Sequence, residues 1–496
     1  MLKSNLSQRG SAAAASLADI GKLAAVMEDI YDPRTNPDGI VFLGLADNAL
    51  LRAEILDYLN GRPLHLVGPE LTYADRICAQ SSLLAALAHL FNEVPDGLDL
   101  STFQEKRKPL KRIEPEHIVV GTGATGVLDS LFFCLGDEGD GVLVSSPWYN
   151  GFDRDLTSRI GLDLVDVTLG PVRTAPGSPG QPCFDEGAVE HYEAALVEAK
   201  KEGKTVRAVL LCNPHNPTGA VISRKAVVEL CKFAAKHKLH LISDEIYSRS
   251  IFATELVEQP NEFYSVLSID TLAEAGLDPS YVHVISSSSK DFSTNGFRLG
   301  VLISQHNKEL RLAMLSNSII NQTSSVAGAL WRDWILDEHF LTWYLAENRR
   351  RLRDSFEYVA RFLTHHEIPV APANAGHFCM VDLSRYLSAP SHQAEADLLD
   401  EMIKAKVFIA PGAQYHVSEP GFFRLTFSQP PPIVREGLFR LERVLQLQPW
   451  IKDQPLPVWH GPSAEVLEAS NRFRDALRAE DLVDSASKLS VDSKVA

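Results

Sequence analysis

The chain has 496 residues, of which 45% are hydrophobic and 23% charged; at about 150 residues per domain it is long enough for two to four lobes with a large core. Lys and Arg number 48 against 64 Asp and Glu, a net charge of −16 that excludes the basic footprint of a nucleic-acid or anionic-membrane binder. No run of about 18 apolar residues could span a membrane, and six cysteines without a CxxC pair point to a reducing compartment, buried thiols and no metal site.

Residues 1–15 contain Lys3 and Arg9 but no apolar h-region, so they are not a secretory signal. They are Ser/Ala-rich and free of acids, a composition that a mitochondrial presequence also has; the expected location is the cytoplasm. Residues 1–64 read as an N-terminal arm, with short helices around an extended stretch at 39–45, that contributes part of a small domain. From 65 to 330 short β-rich runs alternate with helical stretches, which implies a large α/β domain with a mostly parallel sheet and its ligand at the carboxyl ends of the strands. Strands are expected over 117–120, 141–145, 206–212, 239–242 and 281–286, and an amphipathic helix over 222–237. The Pro/Gly-rich stretch 170–182 and residues 255–262 read as loops. Residues 310–361 read as mostly helical. A smaller α+β domain over 331–451 carries strands at 376–383 and 422–427. The extension 452–496 carries a helix over about 464–479 and a disordered end after 484.

The strand ends carry the chemistry. The first runs into Gly121-Thr122-Gly123-Ala124-Thr125-Gly126 and then an apolar helix. A glycine-rich turn opening a helix offers free N–H groups to a phosphate. The letters also satisfy G-x-G-x-x-G, although no acidic residue at the end of a second strand about 20 residues on supports a dinucleotide fold, and a tight structural turn is the plain alternative. Tyr149, in Pro147-Trp148-Tyr149-Asn150, sits where an aromatic ring can stack on a planar ligand. The third strand ends in Asn213-Pro214-His215-Asn216-Pro217-Thr218-Gly219, a rigid loop that presents amide side chains. The fourth ends in Asp244-Glu245-Ile246-Tyr247; a carboxylate directly after an apolar strand is costly unless it meets a cation. The fifth ends in Ser286-Ser287-Ser288-Ser289-Lys290, with Arg298 eight residues later, a Schiff-base amine beside a phosphate clamp. Pyridoxal phosphate needs all these parts: a lysine, a carboxylate for the ring nitrogen, donors to the ring hydroxyl, an aromatic over the ring, and N–H, Ser and Arg groups on the phosphate.

Asn216-Pro217-Thr218-Gly219, Asp244-x-x-Tyr247 and Ser287-x-x-Lys290 with Arg298 resemble the signatures of fold-type I pyridoxal-phosphate enzymes, the class I/II aminotransferase superfamily. Within it, Gly44-Leu45-Ala46-Asp47-Asn48, Asn150-Gly151-Phe152-Asp153-Arg154-Asp155-Leu156 and Pro420-Gly421-Phe422-Phe423-Arg424 look most like 1-aminocyclopropane-1-carboxylate synthases and their fungal-type relatives. The resemblance covers about residues 30 to 445 and finds no counterpart for the tail. It implies a large domain with a seven-stranded, mostly parallel sheet and a smaller α+β domain. It also implies that Lys290 forms the Schiff base and later moves the substrate α-proton, that Asp244 pairs with the ring nitrogen at a low pKa, and that Asn216 and Tyr247 hold the ring hydroxyl. Tyr149 would stack on the ring; Ala124, Thr125, Ser287, Ser289 and Arg298 would hold the phosphate. Arg424 would fork onto the substrate carboxylate, with Ala46 and Asp47 beside the substrate. Tyr73 would reach the phosphate of a neighbouring subunit, which implies a homodimer with shared active sites. Two departures stand out: plant synthases have Glu where this chain has Asp47, and Ser293-Thr294-Asn295 replaces a more apolar loop.

These motifs single out a cofactor rather than one fate of the substrate. The first expectation is a lyase or γ-substitution enzyme acting on S-adenosylmethionine or a similar γ-activated amino acid; the alternative is an aminotransferase passing an amino group to a 2-oxo acid. A non-catalytic pyridoxal-phosphate sensor is disfavoured, because only about 60 residues precede the body and they show no helix-turn-helix pattern.

Overall fold

Apolar, β-branched runs that end in Gly, Asn, Asp or Ser build the sheet that positions everything else. In the computed structural model, which describes residues 5–18, 21–61, 66–94, 108–172, 174, 187–257 and 260–476, the strands are β1 (Val41–Phe42), β2 (Ile118–Thr122), β3 (Gly141–Ser146), β4 (Asp163–Thr168), β5 (Val206–Cys212), β6 (His240–Asp244), β7 (Val282–Ser287), β8 (Leu299–Ile303), β9 (Phe378–Asp382), β10 (Val407–Phe408), β11 (Ala410–Pro411) and β12 (Phe422–Thr426). Seven of them form one sheet in the order β2-β8-β7-β6-β5-β3-β4. All its pairings are parallel except those of β8, which runs against β2 and β7. The expected α/β fold with a seven-stranded, mostly parallel sheet is thus the observed one. Each of the five strands expected in this stretch is present, shifted by two residues or fewer at its ends.

Two strands of this sheet escape the sequence reading. β4 is an edge strand whose Asp163, Asp166 and Thr168 face partly outward, so it lacks the continuous apolar run of a central strand. β8 is buried throughout, but it follows Arg298 so closely that its residues read as the tail of the arginine motif. Its reversed direction matters for function. Thr122 pairs with Leu299, and Ser287 with Gly300, so the amino end of β8 lies beside the carboxyl ends of β2 and β7. Arg298 therefore sits at the same rim as the other strand ends.

The helix Arg224–His237 shows how sequence sets its own limits. Ser223 accepts a hydrogen bond from the Ala226 amide, Lys238 ends the helix in the left-handed region, and Val227, Leu230, Cys231 and Ala234 form its buried face. Residues expected as one helical stretch after 310 are three helices, Lys308–Ser318, Ser325–Leu336 and Glu338–His365, the last capped by Asp337. β11, β12 and β9 form a three-stranded antiparallel sheet with Arg424 on its central strand, and β1 pairs with β10 in parallel. One apolar core lies along the large sheet and a second around the small ones. The helix Glu338–His365 feeds both, with Phe340, Leu341 and Tyr344 in the first and Leu352, Phe356 and Val359 in the second. Residues 464–476 are helical; most of 170–182 and all of the stretch after 484 lie outside the described residues. Among the described residues no helix is long and apolar enough to cross a membrane.

Candidate active site

The carboxyl ends of β2, β3, β5, β6 and β7, the amino end of β8 and the central strand β12 converge on a cavity of about 370 Å³. Of the residues singled out from sequence, Ala46, Ala124, Thr125, Tyr149, Asn216, Asp244, Tyr247, Ser287, Ser289, Lys290, Arg298 and Arg424 line it. They come from seven separated stretches of chain.

Close backbone contacts shape one end. Gly123, at φ +79°, opens the helix Gly123–Leu135, and a Cβ there would lie 2.4 Å from Arg298 Nη2. A Cβ on Gly300 would lie 2.3 Å from the Gly123 carbonyl carbon. Glycine at both positions lets the guanidinium reach the helix amino terminus, where N–H groups and the positive dipole end favour an anion. On the wall, a Cβ on Gly151 would meet the Tyr149 ring at 2.3 Å, so glycine there makes room for that ring, which also packs edge-on against Phe152.

Of the two central titrating groups, Asp244 is buried and Lys290 is partly buried. Lys290 Nζ donates to the Ala46 carbonyl at 2.6 Å. Burial above all, then Arg424, lowers its pKa to about 8. A low pKa is expected for Asp244 where it faces the ring cation. Among the groups of this chain burial dominates instead and pushes it up to about 7; Asp155 adds to the rise, while the Ile246 amide and Lys290 oppose it. The Tyr247 hydroxyl is buried without a hydrogen-bond partner.

Arg424 is held as a flat fork. Its Nη1 donates to Asn216 Oδ1 at 2.8 Å and its Nη2 to the Gly44 carbonyl at 2.5 Å. The rings of Phe378 and Tyr415 flank it at 4.5 and 4.6 Å, and Nε has no partner. A guanidinium so fixed loses little freedom when it meets a carboxylate.

Two of the residues from the sequence reading lie outside the lining. Asp47 accepts from Arg52 at 2.5 Å and from Asn295 at 3.2 Å, beside the cavity rather than in its wall; the polar replacement in the loop after Lys290 thus pairs with this aspartate. Tyr73 is 86% exposed. Leu71, Ile77, Ile319 and Ile320 are exposed as well, and hydrogen bonds from Gln322 to the Ile77 carbonyl and from Thr323 to the Cys78 carbonyl join their loops. Asp155, within the 150–156 motif, lines the cavity, bonds Thr125 and is pushed up to about 6 by burial. Tyr415 was missed, since nothing near it in sequence marks it as a partner of Arg424. His215 bonds Thr218 at 2.9 Å within its own loop.

Residues 79–438 match the family model described as aminotransferase class I and II. A probable aminotransferase, gliI, of Aspergillus fumigatus is 34% identical over 412 residues, covering 81% of this chain and 88% of that protein. The 1-aminocyclopropane-1-carboxylate synthase 6 of Oryza sativa subsp. japonica is 32% identical over 408 residues, with 81% and 71% covered. Among solved structures, the aspartate aminotransferase from Thermus thermophilus with maleate superposes with a TM-score of 0.63 at 21% identity, over 89% of this chain and all of that one, a likeness of fold.

Proposed function

The chain belongs to the aminotransferase class I and II family, and on that premise we propose that it is a pyridoxal-phosphate enzyme that takes the α-proton from S-adenosylmethionine or a similar γ-activated amino acid, leading to γ-elimination with ring closure or to γ-substitution. The observation that carries the reading is the meeting of a partly buried lysine, a buried aspartate and a braced arginine in one cavity. The site suits that cofactor. Gly123 leaves room for Arg298 at a helix amino terminus, as a phosphate group requires, and the unpartnered Tyr247 hydroxyl and the free Nε of Arg424 are buried donors that call for a polar ligand. The chemistry pyridoxal phosphate brings is an aldehyde for amines and a ring that draws electron density from the α-carbon of a joined amino acid.

The protein's own groups do the rest. Ala124 and Thr125, with Ser287, Ser289 and Arg298, hold the phosphate end; Tyr149 covers the ring, and Asn216 and Tyr247 hold its hydroxyl. Asp244 keeps the ring nitrogen protonated from a site that excludes water. Lys290, with its amine pKa lowered to about 8, accepts a proton near neutral pH more readily than an exposed lysine. Arg424 fixes the substrate carboxylate and so orients the α-carbon toward Lys290. The exposed side chains of Leu71, Tyr73 and Ile77 support a homodimer in which this tyrosine serves the partner's site.

The synthase relative supports a sulfonium substrate. Two observations favour plain transamination as the second reading: the similarity to a probable aminotransferase, and the engagement of Asp47 by Arg52, which leaves its charge balanced. Incubation of the enzyme with S-adenosylmethionine decides between them: release of methylthioadenosine is expected, and its absence together with amine exchange dependent on a 2-oxo acid overturns the first reading. Arg424→Lys is expected to raise KM for the amino acid about 50-fold and leave kcat within a few-fold, because one ammonium replaces a two-pronged donor; an unchanged KM would refute the role.

A further inference from the structure

The segment after residue 456 lies beyond the stretch matched by the family model, yet it is tied to the substrate side of the cavity by three separate contacts. The first is at Arg351, buried on the helix Glu338–His365. It donates to the Leu50 carbonyl at 2.5 Å, to Glu54 at 2.5 Å and to the His460 carbonyl at 3.1 Å. Trp459 lies over the same guanidinium at 5.2 Å and donates to Asp354 at 3.0 Å. The second is Arg474, which donates to the Tyr58 carbonyl at 2.7 Å and sits 4.5 Å from the centre of that ring. The third is the buried Ser470, which bonds Asp337, the acceptor also used by the Tyr58 hydroxyl at 3.1 Å.

All three fasten the helix Arg52–Asn60. That helix continues directly from residues 44–51, the stretch whose carbonyls at Gly44 and Ala46 receive Arg424 and Lys290 and whose Asp47 bonds Arg52 at the start of the helix. Residues 44–51 have little regular structure of their own to hold them; the Ala49 amide bonds the Ser428 carbonyl, and Ser428 and Gln429 donate back to the Asp47 carbonyl. We propose that residues 457–476 form a clasp that holds the helix Arg52–Asn60 in place, fixes the position of the 44–51 stretch, and so sets how well Arg424 captures the substrate carboxylate. Arg474 is a positioning residue here, acting through Tyr58. The last step of the proposal rests on the reading of Arg424 and Lys290 given above.

Hydrogen–deuterium exchange on the full chain tests the mechanical part without any substrate. Arg474→Ala is expected to speed exchange of the amides in 44–51 about tenfold, the loss of one charged hydrogen bond and its ring contact. Arg474→Lys, which keeps a cationic donor, restores most of the protection. Arg472→Ala, on the same helix and paired among the described residues with the exposed Glu468, leaves it unchanged. Faster exchange confined to 52–60 and 464–476, with 44–51 as in the wild type, overturns the clasp. In turnover of S-adenosylmethionine, Arg474→Ala is expected to raise KM about tenfold with kcat within twofold; unchanged KM, or an equal loss in kcat, overturns the link to substrate capture. A wild-type enzyme that does not turn over S-adenosylmethionine counts against the proposed substrate alone, and the exchange result still decides the clasp.

Discussion

Lys290→Ala is expected to lower turnover about 10,000-fold or more and to remove the visible absorbance of the protein loaded with pyridoxal phosphate. Two roles are lost at once: the amine that condenses with the aldehyde and the base at the α-carbon, and a positioned base alone is worth about 100- to 10,000-fold. The side chain reaches the cavity from the turn just past β7, and among the described residues its hydrogen bond is to the Ala46 carbonyl, so its removal leaves the sheet intact and the loss reads as chemistry. Retained turnover would show that another amine does the work. The shifted pKa gives an independent check. Burial disfavours the ammonium, so raising the pH through about 8 converts Lys290 to the free amine. Acylation of Lys290 in the cofactor-free chain is expected to rise about tenfold between pH 7 and pH 9 and then level off. Exposed lysines keep rising toward pH 10.5. A Lys290 profile that follows theirs would place the amine in water.

Asp244→Ala is expected to lower kcat about 1,000-fold while weakening cofactor binding about tenfold or less. The carboxylate is 2% exposed, and removing one partner of a buried charge pair costs about 3–5 kcal/mol. That cost falls on the step in which the ring must carry positive charge, whereas the phosphate end is held by other residues. Measurement of kcat beside the dissociation constant for pyridoxal phosphate separates the two. Activity within a few-fold of wild type would show that the end of β6 does not face the ring.

Much of this site is legible in the sequence because Ala124, Asn216, Asp244 and Lys290 follow the carboxyl ends of apolar strands. An apolar run that stops at Asp244, or at Ser287 just before Lys290, announces both its burial and its rim. Arg424 needed the resemblance, since its bracing by Asn216 and Gly44 depends on contacts between stretches 208 and 380 residues apart. Asp155 shows the same limit: its letters are part of a motif, but its bond to Thr125 exists only after the helices Gly123–Leu135 and Phe152–Asp155 pack together. The helix Arg224–His237 was readable from its face and its cap, whereas β4 was not, because a half-exposed edge strand resembles a polar loop. The low pKa expected of Asp244 presupposes a cation on the ring, whereas the depth of burial that raises it among this chain's own groups shows only in the fold.

The reversal of β8 separates two things that a motif runs together. Lys290 and Arg298 are eight letters apart, but their spacing in the molecule belongs to the ladder in which Ser287 faces Gly300. Residues 293–296 close the loop between these two points: Thr294 Oγ1 donates to the Ser288 carbonyl at 2.9 Å, the Asn295 carbonyl accepts from Arg298 at 2.9 Å, and the Asn295 side chain donates to Asp47. The ladder thus spaces the two cations, and the loop turns that spacing into a brace that reaches from the arginine to the aspartate.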